Sequence, residues 1–189
     1  IRDNCMTIFN VLLSASSERF SSKDKIRGLT QYELITMASI VEKEDAFDTH
    51  AGIIASAFWN RHANNDRFGS CVTVEYLIGY HRPFLLNKDL DKVSDSPWST
   101  YHRKGLPPTP ICFVSDYTIK ETINAKETSH YFFVMDWVNK IPYMADSYQK
   151  HLSNAKIAKQ SVIDVYGSKI IHQKMENYYY DYFSKNLKK

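Results

Sequence analysis

The alternation of apolar and polar residues divides this chain into helical and extended stretches. Met6, Phe9 and Leu13 share one side of a predicted helix over residues 2–15, and a serine-rich stretch from Ser14 to Asp24 interrupts it. A clearer helix opens at Thr30-Gln31-Tyr32-Glu33. This is a capping box, in which Thr30 and Glu33 each satisfy a free backbone amide. Leu34, Met37, Ala38 and Val41 then recur at helical spacing. Residues Thr49 to Arg61 predict a second helix with Ala51, Ile54 and Phe58 on one face, whereas Val72 to Tyr76 alternates as a strand would. Residues 85–94 predict a short helix that turns Leu90 and Val93 inward. A helix over Tyr117 to Ala125 follows. Tyr131 to Met135 and Lys140 to Met144 then read as a hairpin that turns near Asp136 to Asn139. Two further helices are predicted, from Ser147 to Tyr166 and from Ser168 to Leu187, the last carrying Tyr178, Tyr179, Tyr180, Tyr182 and Phe183. Pro97 to Pro110 holds four prolines and one glycine, which excludes regular structure. A loop of that length on a scaffold is a candidate binding surface.

The pattern predicts an α+β domain, mainly helical, with a small antiparallel sheet. Its bulk properties narrow the classes of function. With 189 residues, 43% hydrophobic and 24% charged, the chain suits one sizeable domain of ordinary globular composition. Only 6 glycines argue against a glycine-rich nucleotide-binding fold, while 13 tyrosines offer flat apolar faces with a hydroxyl, which suit sugar rings as well as cores. A net charge of +3 in short runs is weak for a nucleic-acid partner, and none is predicted. Cys5, Cys71 and Cys112 fit neither a zinc motif nor a CxxC redox motif, and the histidines show no metal-ligand spacing. Isolated thiols, no metal and no cofactor are therefore expected. No segment approaches the ~18 apolar residues of a membrane span. A chain that begins at Ile1 is expected to be a piece of a longer protein, with an anchor or signal upstream.

The candidate chemistry sits where the first clear helix ends, at Ala38-Ser39-Ile40-Val41-Glu42-Lys43-Glu44. At about 100° per residue, Glu44 falls about 60° from Val41 and close to Met37, whereas Glu42 lies on the other flank. Glu44 is thus the carboxylate nearer the apolar face, and it sits at the negative end of the helix dipole. Both effects raise its pKa toward that of a proton donor. Two glutamates around a lysine also read as a solvated helix end, and Asn60-Arg61 as an ordinary helix C-terminus.

Taken together, the segments resemble the endolytic murein transglycosylase, or YceG-like, family. The resemblance rests on Ala38 to Glu44, on Asn60-Arg61, on Ser70-Cys71-Val72-Thr73-Val74-Glu75-Tyr76, and on Asp95 to Tyr101 with Gly105 to Ile111. It extends to Tyr131-Phe132-Phe133-Val134 and to His151, and it covers about residues 28–166. Trp98, Ser99, Thr109 and Phe68-Gly69 depart from the usual pattern. The division this implies is an N-terminal helix and linker over 1–27, a lysozyme-like catalytic domain over 28–166, and a C-terminal helical extension over 167–189.

The resemblance implies non-hydrolytic cleavage of the MurNAc–GlcNAc β-1,4 bond inside peptidoglycan strands, leaving 1,6-anhydroMurNAc ends. It implies Glu44 as the catalytic acid, with Glu42 as the alternative. Glu42, Asn60, Arg61, Ser70, Thr73, Tyr76, Thr100 and Tyr101 are implied as substrate-binding residues. The glycan is expected between the Glu44 helix, the 70–76 segment and the 95–110 loop. A membrane tether upstream, an extracytoplasmic catalytic domain and peptidoglycan synthases (penicillin-binding proteins) as partners also follow from the resemblance. A hydrolytic muramidase and a catalytically silent glycan-binding module of the wall-synthesis machinery are the rival readings.

Overall fold

The computed structural model describes residues 25–81 and 85–167. The predicted helices over 2–15 and 168–187 lie outside them. Within the described residues the chain forms α1 (Gln31–Glu44), α2 (Ala51–Ala63), α3 (Cys71–Ile78), α4 (Asn87–Lys92) and α5 (Asp116–Ile123), followed by β1 (Phe132–Asp136), β2 (Ile141–Ala145) and α6 (Tyr148–Tyr166). The class is α+β, mainly helical with a two-stranded antiparallel sheet.

Helix α1 is the central rod. Its capping box forms as predicted: Glu33 N–H donates to Thr30 Oγ1, and Thr30 N–H donates to Glu33 Oε2 at 2.8 Å. The sequence suggested one apolar stripe, yet every residue from Leu34 to Val41 is buried. The two polar residues in that run, Thr36 and Ser39, are accommodated because their hydroxyls donate to backbone carbonyls of Tyr32 and Thr36. Ser39 Oγ in turn accepts the Ile111 N–H at 3.0 Å, which pins the segment after the proline-rich loop to the middle of α1.

Against α1 lie Ile54, Phe58 and Trp59 of α2, with Phe68 from the following loop. Phe58 and Phe68 stack at 5.5 Å, and Phe133 of β1 meets Phe58 edge-on at 5.8 Å. The hairpin pairs Phe132 with Ala145 through to Asp136 with Ile141, one residue later on each strand than predicted. Helix α6 starts where Ser147 Oγ caps Lys150 N–H, and it packs on the hairpin.

The strand predicted over Val72 to Tyr76 is instead helix α3. Val72, Thr73 and Val74 favour strands intrinsically, but tertiary context decides here. Thr73 and Val74 face the interior at 0% exposure, Thr73 Oγ1 donates back to the Ser70 carbonyl, and Gly79 closes the helix in the left-handed region at φ 81°. Val93, the C-cap of the short helix α4, is buried as expected while Leu90 is only half-buried, and the most buried residue of the helix is Asp89, whose carboxylate accepts the Leu86 N–H.

Candidate active site

The last turn of α1, helix α3, the 111–113 segment and the hairpin enclose an open groove of about 870 Å³. Glu44 lies in its wall, flanked by Glu42, Asp45, Phe47, Cys71, Glu75, Tyr76, Tyr80, Cys112, Phe113 and Trp137, among others. The 95–110 loop contributes no residue to this lining, so the expected third wall is replaced by the hairpin and by 111–113. The reason is packing: Trp98 and Leu106 turn inward onto the core, and Trp98 Nε1 donates to Thr109 Oγ1.

The Glu44 side chain is half-buried in this wall, and desolvation pushes its pKa up to about 7. The Ser70 hydroxyl donates to Glu44 Oε1 and pulls the other way, as does the Arg61 charge, while the nearby Glu75 carboxylate adds to the rise. Burial prevails. Near neutral pH the group is poised both to give and to take a proton.

Glu42, two residues earlier, is tied up differently. Its Oε2 accepts both the N–H and the hydroxyl of Ser115, at 3.1 and 2.9 Å, and so fastens the N-cap of α5 to α1. Both glutamates line the groove.

Behind Glu44 stands a network of hydroxyls. Ser70 N–H donates to Thr100 Oγ1 at 3.0 Å, and Thr73 Oγ1 lies 2.8 Å from the same atom. Ser70, Thr73 and Thr100 are 3%, 0% and 2% exposed. Thr73 and Thr100 therefore have no surface to offer a ligand. Their hydroxyls instead meet Ser70 and each other. Tyr101 from the same loop is part-buried, and its hydroxyl sits 3.1 Å from Cys71 Sγ. Cys71 and Cys112 are free thiols, pushed up to about 11 and about 12 chiefly by desolvation.

Asn60 and Arg61 are set farther back and do not line the groove. Asn60 Nδ2 donates to the carbonyls of Thr128 and His130 at 2.8 and 2.7 Å. Arg61 donates through Nε and Nη2 to the Tyr131 carbonyl at 2.9 and 2.7 Å, and through Nη1 to the Phe68 carbonyl. Its guanidinium also lies within 5.6 to 5.8 Å of the ring centroids of Phe58, Tyr131 and Phe132. The pair thereby fixes the entry into β1, whose Phe133 and Val134 form groove wall. Burial lowers the Arg61 pKa, and the neighbouring Glu44 charge opposes that. His151 rests against the rings of Phe132 and Tyr148, and burial lowers its pKa as well.

Of the residues expected at the site, Glu42, Glu44 and Tyr76 reach the groove itself, with Tyr76 46% exposed. Sequence reasoning did not find Glu75, Phe47, Phe113 or Trp137 as lining. A large aromatic in a predicted hairpin turn, Trp137, was the available signal. Among the described residues no group of three His, Cys, Asp or Glu side chains is placed to hold a metal ion, and no helix is long and apolar enough to cross a membrane.

Comparison with known proteins places these features in company. The model of the YceG-like family matches residues 3–157. A protein of Streptococcus pneumoniae serotype 2 (strain D39 / NCTC 7466) named endolytic murein transglycosylase is 29% identical over 154 residues, covering 78% of this chain and 28% of that protein. One of the same name from Bacillus subtilis (strain 168) is 32% identical over 117 residues, covering 62% of this chain and 32% of that protein. The chain thus spans about three tenths of the length of these relatives. The crystal structure of a YceG-like protein from Listeria monocytogenes superposes with a TM-score of 0.59 at 32% identity, covering 66% of this chain and 39% of the other.

Proposed function

The chain belongs to the YceG-like family, and on that footing we propose that it carries the catalytic centre of an endolytic peptidoglycan lytic transglycosylase. The observation that carries the reading is Glu44, a half-buried carboxyl with a pKa of about 7 in the wall of an aromatic-lined groove. The names of the pneumococcal and Bacillus relatives support it.

In this reading the strand lies along the groove with a MurNAc–GlcNAc bond at Glu44. Ser70 occupies Oε1, so the proton is carried on Oε2. Glu44 donates that proton to the glycosidic oxygen as the C1–O bond breaks. The resulting carboxylate takes the proton of the muramic acid C6 hydroxyl, whose oxygen bonds to C1. One strand leaves with a free 4-hydroxyl and the other with a 1,6-anhydro ring. No water is consumed, and Glu44 ends protonated as it began. Hydrolysis with a water or enzyme nucleophile ordinarily needs a second carboxylate, whereas an internal hydroxyl does not. Ser70 positions the acid, Thr73 and Thr100 position Ser70, Asn60 and Arg61 set the wall at β1, and Tyr76 touches the glycan. Glu42 braces α5. Cleavage outside the cytoplasm, a tether upstream and work beside peptidoglycan synthases complete the proposal.

A hydrolytic muramidase is the second reading, favoured by one observation: Glu75 brings another carboxylate into the groove, held by His81 Nδ1 at 2.9 Å. Mass spectrometry of peptidoglycan strands after incubation with the chain decides. Internal fragments ending in 1,6-anhydroMurNAc, absent with Glu44→Gln, are expected. Reducing ends, one water heavier, would transfer the assignment to the hydrolase, and uncut strands with the unaltered chain would overturn both.

A further inference from the structure

Three residues beyond Glu44 the groove changes character. Phe47 and Trp137 meet there, ring centroids 5.5 Å apart and planes inclined at 62°. Both line the groove, as does the exposed Asp48 beside them. Trp137, half-buried, occupies the turn between β1 and β2. That turn is held firmly. The buried Asp136 carboxylate accepts the N–H groups of Val138 and Asn139 at 3.0 Å each, the Asn139 side-chain amide at 2.9 Å, and the Ser161 hydroxyl of α6 at 3.0 Å. Lys140 completes the turn in the left-handed region at φ 58°, and its ammonium lies 5.8 Å from the Phe47 ring centroid. One side of the pair is thereby braced by the lysine, and the indole is pre-set at the groove wall without an entropy cost on binding.

We infer that Trp137, braced by Phe47, is the platform of a separate sugar subsite, taking a hexopyranose ring of the strand beyond the residues that flank the cleaved bond. The inference rests on the glycan-cleaving reading above. A pyranose presents an apolar C–H face and a polar rim, and the platform matches both: an indole for the face and the Asp48 carboxylate for the hydroxyls. Three residues of chain span at most ~11 Å, about the length of two sugar rings, so the platform stands close to the acid along the groove. The groove is continuous from Glu44 to Trp137. A ring held there lies outside the reacting pair and improves binding of longer strands over short ones. Trp137 acts in binding and register, not in proton transfer.

The test uses the 189-residue chain with peptide-free glycan strands of defined length. Trp137→Ala is expected to raise KM for strands of eight or more sugars about tenfold with kcat held, and to raise it far less for tetrasaccharides. Trp137→Phe should recover most of the loss. A fall in kcat with KM unchanged, or an equal KM change at every length, would overturn the subsite. Should the alanine variant fail to fold, the indole N–H resonance of Trp137 in Glu44→Gln gives the answer, assigned by its absence in Trp137→Phe. It should move on titration with uncut long strands. A resonance that ignores glycan but moves with free stem peptide would make the platform a peptide site and refute the inference. The two readings fail separately. Strands that shift the indole but stay uncut by the unaltered chain sink the transglycosylase and leave the subsite. Strands that are cut without an indole shift or length-dependent KM sink the subsite alone.

Discussion

Glu44 is half-buried and Asp136 fully buried, and their pKa values move in opposite directions. Burial acts to raise each of them. At Asp136 that effect is outweighed by donation from the Asn139 backbone and side chain, the Ser161 hydroxyl and the Val138 backbone, and the pKa ends below the ordinary value. At Glu44 a single donor, the Ser70 hydroxyl, and the more distant Arg61 charge are set against burial and the like charge of Glu75, and the pKa climbs to about 7. The number of donors decides. Asp136 is a fastener that stays charged to hold a turn, whereas Glu44 is left short of partners and so keeps a proton to give.

The contrast is broken most severely at Glu44 itself. Glu44→Gln is expected to remove glycan cleavage by at least ~10³-fold, as loss of a general acid does, measured by release of anhydro-ended fragments. The same variant should be more stable than the parent. The raised pKa means the ionised acid costs the fold nothing below pH 4.5, a growing amount as pH rises toward 7, and its full penalty above that. Denaturant unfolding at pH 8 should therefore show a gain of up to about 3 kcal/mol, vanishing by pH 4.5. A variant that unfolds as easily as the parent at pH 8 would contradict the desolvated acid.

Asp136→Ala comes next, with the opposite sign. It strands donors of Val138, Asn139 and Ser161 and should cost about 2–4 kcal/mol at pH 7 by denaturant melts. The lowered pKa predicts that the parent keeps this contribution above the unfolded value of 3.8 and loses it as pH falls through the folded one. A loss of stability that does not change with pH would assign the effect to packing alone.

Smaller effects sharpen the account of the acid. Ser70→Ala removes a donor to the carboxylate, so the Glu44 pKa should rise and the alkaline limb of the kcat/KM profile should move to higher pH. Glu75→Gln removes a like charge and should move that limb to lower pH. Shifts in the same direction would show that one of the two residues does not act through Glu44. The mildest change, Thr73→Val, should cost about 1 kcal/mol in thermal or denaturant unfolding through its hydroxyl network, with activity following Ser70.

The two carboxylates also differ in how far the sequence revealed them. Glu44 announced itself, because helical phase placed it beside Val41 and Met37 and the capping box at Thr30 fixed where that helix began. Asp136 was visible only as part of a hairpin turn. Its donors come from the turn backbone and from Ser161 on α6, a juxtaposition that no local pattern encodes. The misread α3 has the same origin. Val72, Thr73 and Val74 prefer strands, and burial of Thr73 behind Ser70 and Val74 in the core overrode that preference. The groove wall was misplaced because proline content describes a loop's shape and not the direction it faces, and Trp98 and Leu106 face the core.

Asn60 and Arg61 reach partners 68 to 70 residues away along the chain. Closing a loop of that size is slow compared with forming the helices it joins. Until it closes, β1 is not docked, the wall beside Glu44 is open to water, and its carboxyl is an ordinary surface acid, ionised at neutral pH. In the proposed transglycosylase, acid and architecture mature in a single event, so that a chain still emerging, or one that has begun to come apart, is harmless to the glycan.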